Sequence, residues 1–203
     1  MTNKDWTGNA NSIWKTLGAS NHTDKERQNE DYYATQSIAI DKLIKKFTLP
    51  KVIYEPCCGE GHLSKRLEEL GHIVYSSDLV DRGYGQGGID FLKINKMPEN
   101  CNCILTNPPY KIALDIIKHS LEILPDKGLC IMFVKTTFIE GKKRYNELFS
   151  TCPPKYIFQF VERITCAKNG DFEYMKANGG SAVSFCFMVF EKGNKDLPIL
   201  DWI

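Results

Sequence analysis

The sequence predicts an α/β domain with a mostly parallel sheet, helices on both faces and an antiparallel strand near one end. Short apolar strands alternate with amphipathic helical stretches from about residue 40 to residue 135, the pattern of successive βαβ units. Two of these strand candidates are continuous apolar runs, as expected of strands covered on both faces. Beyond residue 156 the strands follow one another with little helix between them, which suits an antiparallel pair at the end of the sheet.

The elements can be read in order. Leu43, Ile44 and Phe47 lie at helical spacing, and Pro50 stops that helix. Residues 51–56 form a strand ending at Glu55, and residues 62–71 an amphipathic helix closed by Gly71. A second strand covers 72–78 and ends at Asp78; a third leads from Cys101 into Asn107. Residues 112–124 are helical in period, 128–135 are a buried strand, and 156–161 and 182–191 supply two more. Residues 1–30 are polar around Trp6 and Trp14 and read as an irregular N-terminal arm, with 31–203 as a single domain.

Composition excludes several classes. The 26 basic and 25 acidic residues give a net charge of +1, so any attraction for nucleic acid must come from a local patch. The longest apolar runs, 128–134 and 182–190, are too short to span a bilayer, and the first residues lack a signal pattern. No membrane partner and a cytoplasmic location are expected. Eight cysteines include an adjacent pair, Cys57 and Cys58, and a pair one residue apart, Cys101 and Cys103. Neither spacing suits zinc, so no metal is expected and the cysteines read as reduced and mostly buried.

In open α/β sheets ligands bind beyond the carboxyl ends of the strands, so the residues there carry the chemistry. Glu55-Pro56-Cys57-Cys58-Gly59-Glu60-Gly61 joins a strand to a helix, and its glycines allow a tight turn and close approach to a ligand. No Gly-Lys-Ser/Thr follows, which excludes a P-loop. Asp78 ends the next strand, 23 residues after Glu55, where a carboxylate can accept bonds from ribose hydroxyls. Asp90 followed by Phe91 suits an adenine, the acid accepting from the exocyclic amine and the ring packing on the base.

Asn107-Pro108-Pro109-Tyr110 is the most specific signal. The prolines make a rigid turn leaving a strand, with an amide and a carbonyl held beside an aromatic ring. A conjugated NH2 is a poor nucleophile because its lone pair is delocalised. Two acceptors, the Asn107 side-chain oxygen and the Pro108 carbonyl, can bond both of its N–H groups and favour tetrahedral character at nitrogen. Tyr110 supplies a face for stacking a planar group.

Taken together, this set resembles the class I S-adenosylmethionine-dependent N6-adenine DNA methyltransferases. Glu55, Pro56, Cys57, Gly59 and Gly61 resemble their cofactor loop, Asp78 their ribose acid, and Asp90-Phe91 their adenine clamp. Asn107 to Tyr110 matches their catalytic NPPY, with Asn107 also beside the cofactor. Asp31-Tyr32-Tyr33-Ala34-Thr35 resembles the segment that closes over the cofactor's methionine end, through Tyr33 and Thr35. The resemblance spans 31 to about 192, and the arm and compact size are similar to forms carried by phages and other mobile elements. It implies S-adenosylmethionine as cofactor and DNA as partner, with RNA next. This chain has Gln36 where the family usually has Pro. Many DNA-modifying relatives also carry a separate target-recognition domain, whereas few residues follow the last expected strand here.

Residues 141–170 carry Lys142, Lys143, Arg144, Lys155, Arg163 and Lys168 against Glu147 and Glu162, an excess that suits phosphate contact. Lys142, Lys143, Arg144 and Arg163 are the expected substrate-binding cations. Phe172 and Tyr174 are candidates for a second stacking surface. An RNA adenine methyltransferase, a protein glutamine methyltransferase and a catalytically silent nucleic-acid-binding module are the competing readings. The glutamine enzymes generally show Asp-x-Gly-x-Gly in the cofactor loop and a larger N-terminal helical domain, neither of which occurs here. Oligomeric state and recognition sequence are not written in the chain.

Overall fold

A computed structural model describes residues 33–168, 172–173 and 183–203. The expectations for the N-terminal arm, for Asp31, for Tyr174 and for the Lys168 side chain lie outside the described residues.

Strand β1 (Tyr33–Thr35) leads into helix α1 (Ile38–Leu43). Next come β2 (Val52–Glu55), α2 (His62–Glu69), β3 (Ile73–Ser76), a 3-10 turn (Phe91–Lys93), β4 (Cys103–Thr106), α3 (Ala113–Ile123) and β5 (Leu129–Lys135). A second 3-10 turn (Thr136–Ile139), the short helix α4 (Lys142–Arg144) and a π-helical turn (Tyr145–Phe149) precede β6 (Tyr156–Gln159). The chain ends with β7 (Cys166–Lys168), β8 (Phe185–Glu191) and β9 (Ile199–Trp202).

Seven strands form one sheet in the order β3-β2-β4-β5-β8-β6-β9. Strands β2 to β5 pair in parallel, β8 runs antiparallel to both β5 and β6, and β9 is parallel to β6. Only β8 is reversed in this sheet, near one end, as the sequence predicts. Outside the sheet, β1 pairs antiparallel with β7, Thr35 opposite Cys166.

Side chains alternate across the sheet, and both sides are buried. On β5, Ile131 and Phe133 join Phe187 and Val189 of β8 under α1 and α2, contributed by Ile40, Leu43, Leu63 and Leu67. Cys130, Met132 and Val134 face the other way, with Met188 and Phe190, onto Ile116 and Ile117 of α3. The apolar face of each helix follows the 3.6-residue period: Ala39, Ile40 and Leu43 on α1; Leu63 and Leu67 on α2; Ala113, Ile116 and Ile117 on α3.

Helix α1 ends sooner than its apolar spacing suggests. The Phe47 N–H still reaches the Leu43 carbonyl at 2.9 Å, but the Phe47 ring turns onto Tyr156 and Phe158, with centroids 5.7 and 5.8 Å away. Tertiary packing sets that end. Strands β1, β7 and β9 have three or four residues and no periodic pattern, so the sequence does not announce them. All eight cysteines are free thiols, six of them buried. No helix among the described residues is long and apolar enough to cross a membrane.

Phe133 is fully buried at the centre, stacked 4.9 Å from Phe185. Phe133→Ala should cost about 3–5 kcal/mol of stability, read as a lower denaturant midpoint at unchanged slope; a loss under about 1 kcal/mol would contradict this packing.

Candidate active site

The carboxyl edge of the parallel strands brings together Glu55 from β2, Asp78 just past β3, Asn107 just past β4 and Lys135 at the end of β5. Parallel pairing makes this a consequence of topology: each strand must end on the same side before its return helix.

Residues 56–61 are anchored from two sides. The Cys58 N–H donates to the Ser77 carbonyl at 3.0 Å, and the Gly59 N–H donates to Asp78 Oδ2 at 2.8 Å. Gly59 and Gly61 adopt φ of 55° and 79°, a region that strains other residues. A Cβ on Gly61 would stand 2.3 Å from the Tyr84 ring, so Gly61 also lets the loop after β3 lie on the 56–61 loop. Asp78 thus helps build the loop. Its second oxygen accepts from the Val80 N–H at 3.0 Å.

Glu55 is buried and accepts a hydrogen bond from Ser64 Oγ, which lies 2.7 Å from Ser76 Oγ. Burial pushes its carboxyl up to about 8 despite the Ser64 bond. A buried acid of this kind suits a cationic ligand, whose charge would favour the carboxylate. Pro56 and Gly59 are buried and Cys57 is half-buried, its carbonyl accepting from Thr106 Oγ1 at 3.5 Å.

Asp90 caps the Phe91–Lys93 turn, accepting from the Leu92 N–H at 3.2 Å, and pairs with Lys93 at 2.9 Å. The Lys93 bond holds its carboxyl below the usual range. Phe91 is 4% exposed and packs edge-on against Tyr54 and His119. It forms the floor of this region, while the neighbouring exposed apolar side chains are Leu92 and Leu79.

Asn107 is the most constrained residue of the edge. Its Nδ2 donates to the Tyr33 carbonyl at 2.9 Å and to Thr35 Oγ1 at 3.0 Å. A carbonyl only accepts, so the amide nitrogen must face β1 and the orientation of the amide is fixed. Oδ1 is buried and has no hydrogen-bond partner among the described residues. An unpaired buried acceptor costs roughly 1–3 kcal/mol and calls for an explanation. The following turn closes by the Ile112 N–H donating to the Pro109 carbonyl at 3.0 Å, so the Pro108 carbonyl takes no part in that bond. Pro108 is buried and Pro109 exposed.

The Tyr110 ring lies 6.1 Å from that of Tyr33 and 6.2 Å from that of Phe185, tilted to both, and its hydroxyl donates to Cys166 Sγ at 3.6 Å. Burial raises the pKa of the phenol, which stays neutral. Cys166 also stands 3.7 Å from Thr35 Oγ1, and burial pushes its thiol up to about 11. The β1–β7 pair thus clamps the Asn-Pro-Pro-Tyr turn. Gln36 completes the clamp: its N–H donates to the Thr165 carbonyl at 3.2 Å, and its Oε1 accepts from the Thr165 N–H at 3.0 Å. Proline could make neither bond.

The basic residues separate. Lys142 and Lys143 are exposed, as is Arg163. Arg144 folds back, donating to the Glu140 carbonyl and lying 4.8 Å over the Phe138 ring, with Nε buried and unpartnered. Lys155 precedes β6 at the opposite edge of the sheet and pairs with Glu191 at 2.7 Å. Phe172 packs on His62 at 5.5 Å, at the end of the 56–61 loop. Among the described residues no cluster of three metal-ligating side chains occurs. Sequence reasoning missed Ser64, Cys166 and Lys135. Lys135 could have been found by the strand-end rule, whereas nothing local marks Cys166 or Ser64.

Solved structures share this architecture at low identity. A Listeria monocytogenes protein described as a class I S-adenosylmethionine-dependent methyltransferase matches with a TM-score of 0.50 and 14% identity, over 82% of this chain and 62% of its own. A Lactococcus lactis protein described as a hemolysin gives 0.59 and 12% identity, over 81% and 91%. A protein described as the modification subunit of a type I restriction enzyme of Vibrio vulnificus gives 0.54 and 12%, over 83% and 46%. The chain therefore spans about three fifths of the Listeria protein and under half of the Vibrio one. No family model and no curated protein matches the sequence. The fold is the Rossmann-like fold of class I methyltransferases.

Burial of Glu55 has a pH signature. Its carboxyl rises from 4.5 to about 8 on folding, so between those values the unfolded chain holds fewer protons than the folded one. Stability should fall as pH rises through that window and level off above it. Glu55→Gln should flatten the fall in melting temperature between about pH 5 and 8. Equal slopes for both proteins would contradict the assignment.

Proposed function

We propose that the chain is an S-adenosylmethionine-dependent methyltransferase that modifies the exocyclic N6 amino group of adenine in DNA. The observation that carries this reading is the Asn107 amide, whose nitrogen is bonded twice to β1 and whose buried oxygen has no partner among the described residues. A donor must come from outside the described residues, and an amino group on a planar ring supplies one. The Pro108 carbonyl accepts the second N–H, and the two acceptors draw the nitrogen toward tetrahedral geometry. Tyr110 offers its ring to the base.

The cofactor fits the residues of the neighbouring strand ends. Glu55 is a buried acid that a cation would favour, Asp78 has carboxylate oxygens beside the loop for ribose hydroxyls, and Asp90, next to the exposed Leu92, would take the adenine amine. Tyr33 and Thr35 connect this side to Asn107. When bound, S-adenosylmethionine would supply an electrophilic methyl; the Asn107 oxygen and the Pro108 carbonyl would hold the amine so that its lone pair faces that methyl, and the amine's displaced proton would pass to water. No base among these residues is required, because the product cation is strongly acidic.

DNA is favoured over protein by the exposed Lys142, Lys143 and Arg163. N6 in a duplex is paired, so the base must be extruded at a cost of a few kcal/mol, which phosphate contacts offset. Such contacts carry no sequence information, so methylation in a short or relaxed sequence context follows.

Labelled S-adenosylmethionine offered with DNA, RNA and protein pools should yield N6-methyladenine in DNA. Label only in RNA, or in protein glutamine, would replace the target. Asn107→Ala should lower turnover at least about a hundred-fold with cofactor affinity nearly intact. Near-normal turnover would remove Asn107 from the chemistry. Asp78→Ala and Asp90→Ala should each weaken cofactor binding about ten-fold or more by calorimetry. Wild-type affinity in either variant would take that residue out of the cofactor site.

A further inference from the structure

Lys135 is the last residue of β5, so its side chain leaves the sheet at the same edge as Asn107. The register sets Thr106 opposite Met132, which puts Asn107 and Lys135 on adjacent parallel strands within two residues of the same level. The ammonium lies 5.0 Å from the centroid of the Tyr110 ring. Among the described residues it makes no ion pair, although seven other lysine and arginine side chains do. Burial keeps both the Tyr110 phenol beneath it and the Cys166 thiol protonated, so neither supplies a counter-charge.

The backbone under Lys135 is held firmly. The Thr136 N–H donates to the Ser184 carbonyl at 2.9 Å, and Thr136 Oγ1 donates to Gln159 Oε1 at 2.9 Å. Gln159 in turn donates to the carbonyls of Phe160 and Phe185 at 3.0 and 3.1 Å. A fixed strand end carrying a flexible four-carbon stem places a point charge within a short radius of the catalytic turn. Lys135 is half-buried, and a ring face is a weak partner for its charge.

A stacked base would need the Tyr110 ring to be free at van der Waals distance, and an ammonium over the ring competes for that surface. A nucleotide brought to Asn107 carries its own phosphate with it, and that anion offers the ammonium a stronger partner than the ring. We propose that Lys135 is a target-positioning residue: it rests on Tyr110 in the free protein and binds the phosphodiester of the target nucleotide as the base takes its place. The proposal rests on the nucleic-acid reading above and adds to it a specific cation that neither charge counting nor motif order picks out.

The test uses the full chain, Lys135→Met and Lys135→Arg, with an oligonucleotide duplex methylated by the wild-type protein. Three quantities are read: KM and kcat for the duplex, duplex affinity against salt, and S-adenosylmethionine affinity. Lys135→Met should raise KM for the duplex about ten-fold and change kcat by less than about three-fold, and its log K against log salt should be shallower by about 0.9, the loss of one phosphate contact. Cofactor affinity should stay at the wild-type value, and Lys135→Arg should restore both KM and slope. An unchanged slope and KM with a reduced kcat would make Lys135 a support for Tyr110 alone and overturn the proposal. Weakened cofactor affinity in Lys135→Met would assign the ammonium to the cofactor's carboxylate instead and overturn it too. Failure of the wild-type protein to form N6-methyladenine in any duplex would remove the underlying reading, an outcome distinct from both.

Discussion

The site depends on one constraint, the two hydrogen bonds that fix the Asn107 side chain to β1. A primary amide has two ends of nearly equal size, and only its partners decide which end faces where. Here the Tyr33 carbonyl and the Thr35 hydroxyl both take the nitrogen, so the oxygen is turned away from β1 and has no partner among the described residues. Leaving it unpaired costs stability in the free protein. In the proposed reaction an N–H from the target would recover that cost, as a preorganised acceptor does.

The rest of the fold serves to hold that amide still. Strand β1 would be too short to persist alone, and its pairing with β7 and the Gln36–Thr165 bonds hold it in place. Cys166 then ties the Tyr110 hydroxyl to the same pair. Behind this, the Phe133, Phe185 and Phe187 rings fill the sheet's α1/α2 side directly beneath Tyr110. The turn is therefore supported from a packed core on one side and by a hydrogen-bonded clamp on the other. Packed interiors resist small displacements, so the acceptor geometry persists without ligand.

Much of this was legible in the sequence because local rules act on long segments. Strands β2 to β6, strand β8 and helices α2 and α3 announce themselves through apolar runs, helical period and breakers. The strand-end residues Glu55, Asp78 and Asn107 follow from parallel topology. What was not legible depends on contacts distant along the chain. The partner of Asn107 lies 72 residues away in Thr35, and that of Thr35 another 131 residues on in Cys166. Phe91 shows the same limit. Its place after Asp90 suggests a ligand contact, but only the positions of Tyr54 and His119 reveal that its ring is buried among the core. The basic stretch 141–170 likewise looks uniform until the chain reversal carries Lys155 to the far edge of the sheet.

The central claim concerns one atom, and a crystal structure of the protein with a non-transferring cofactor analogue and a duplex containing its target adenine tests it most directly. The account predicts the extruded N6 amino nitrogen within about 2.7–3.2 Å of Asn107 Oδ1, with Nδ2 still bonded to the Tyr33 carbonyl. An adenine held elsewhere, or an Asn107 amide reversed so that its nitrogen meets the base, would contradict it.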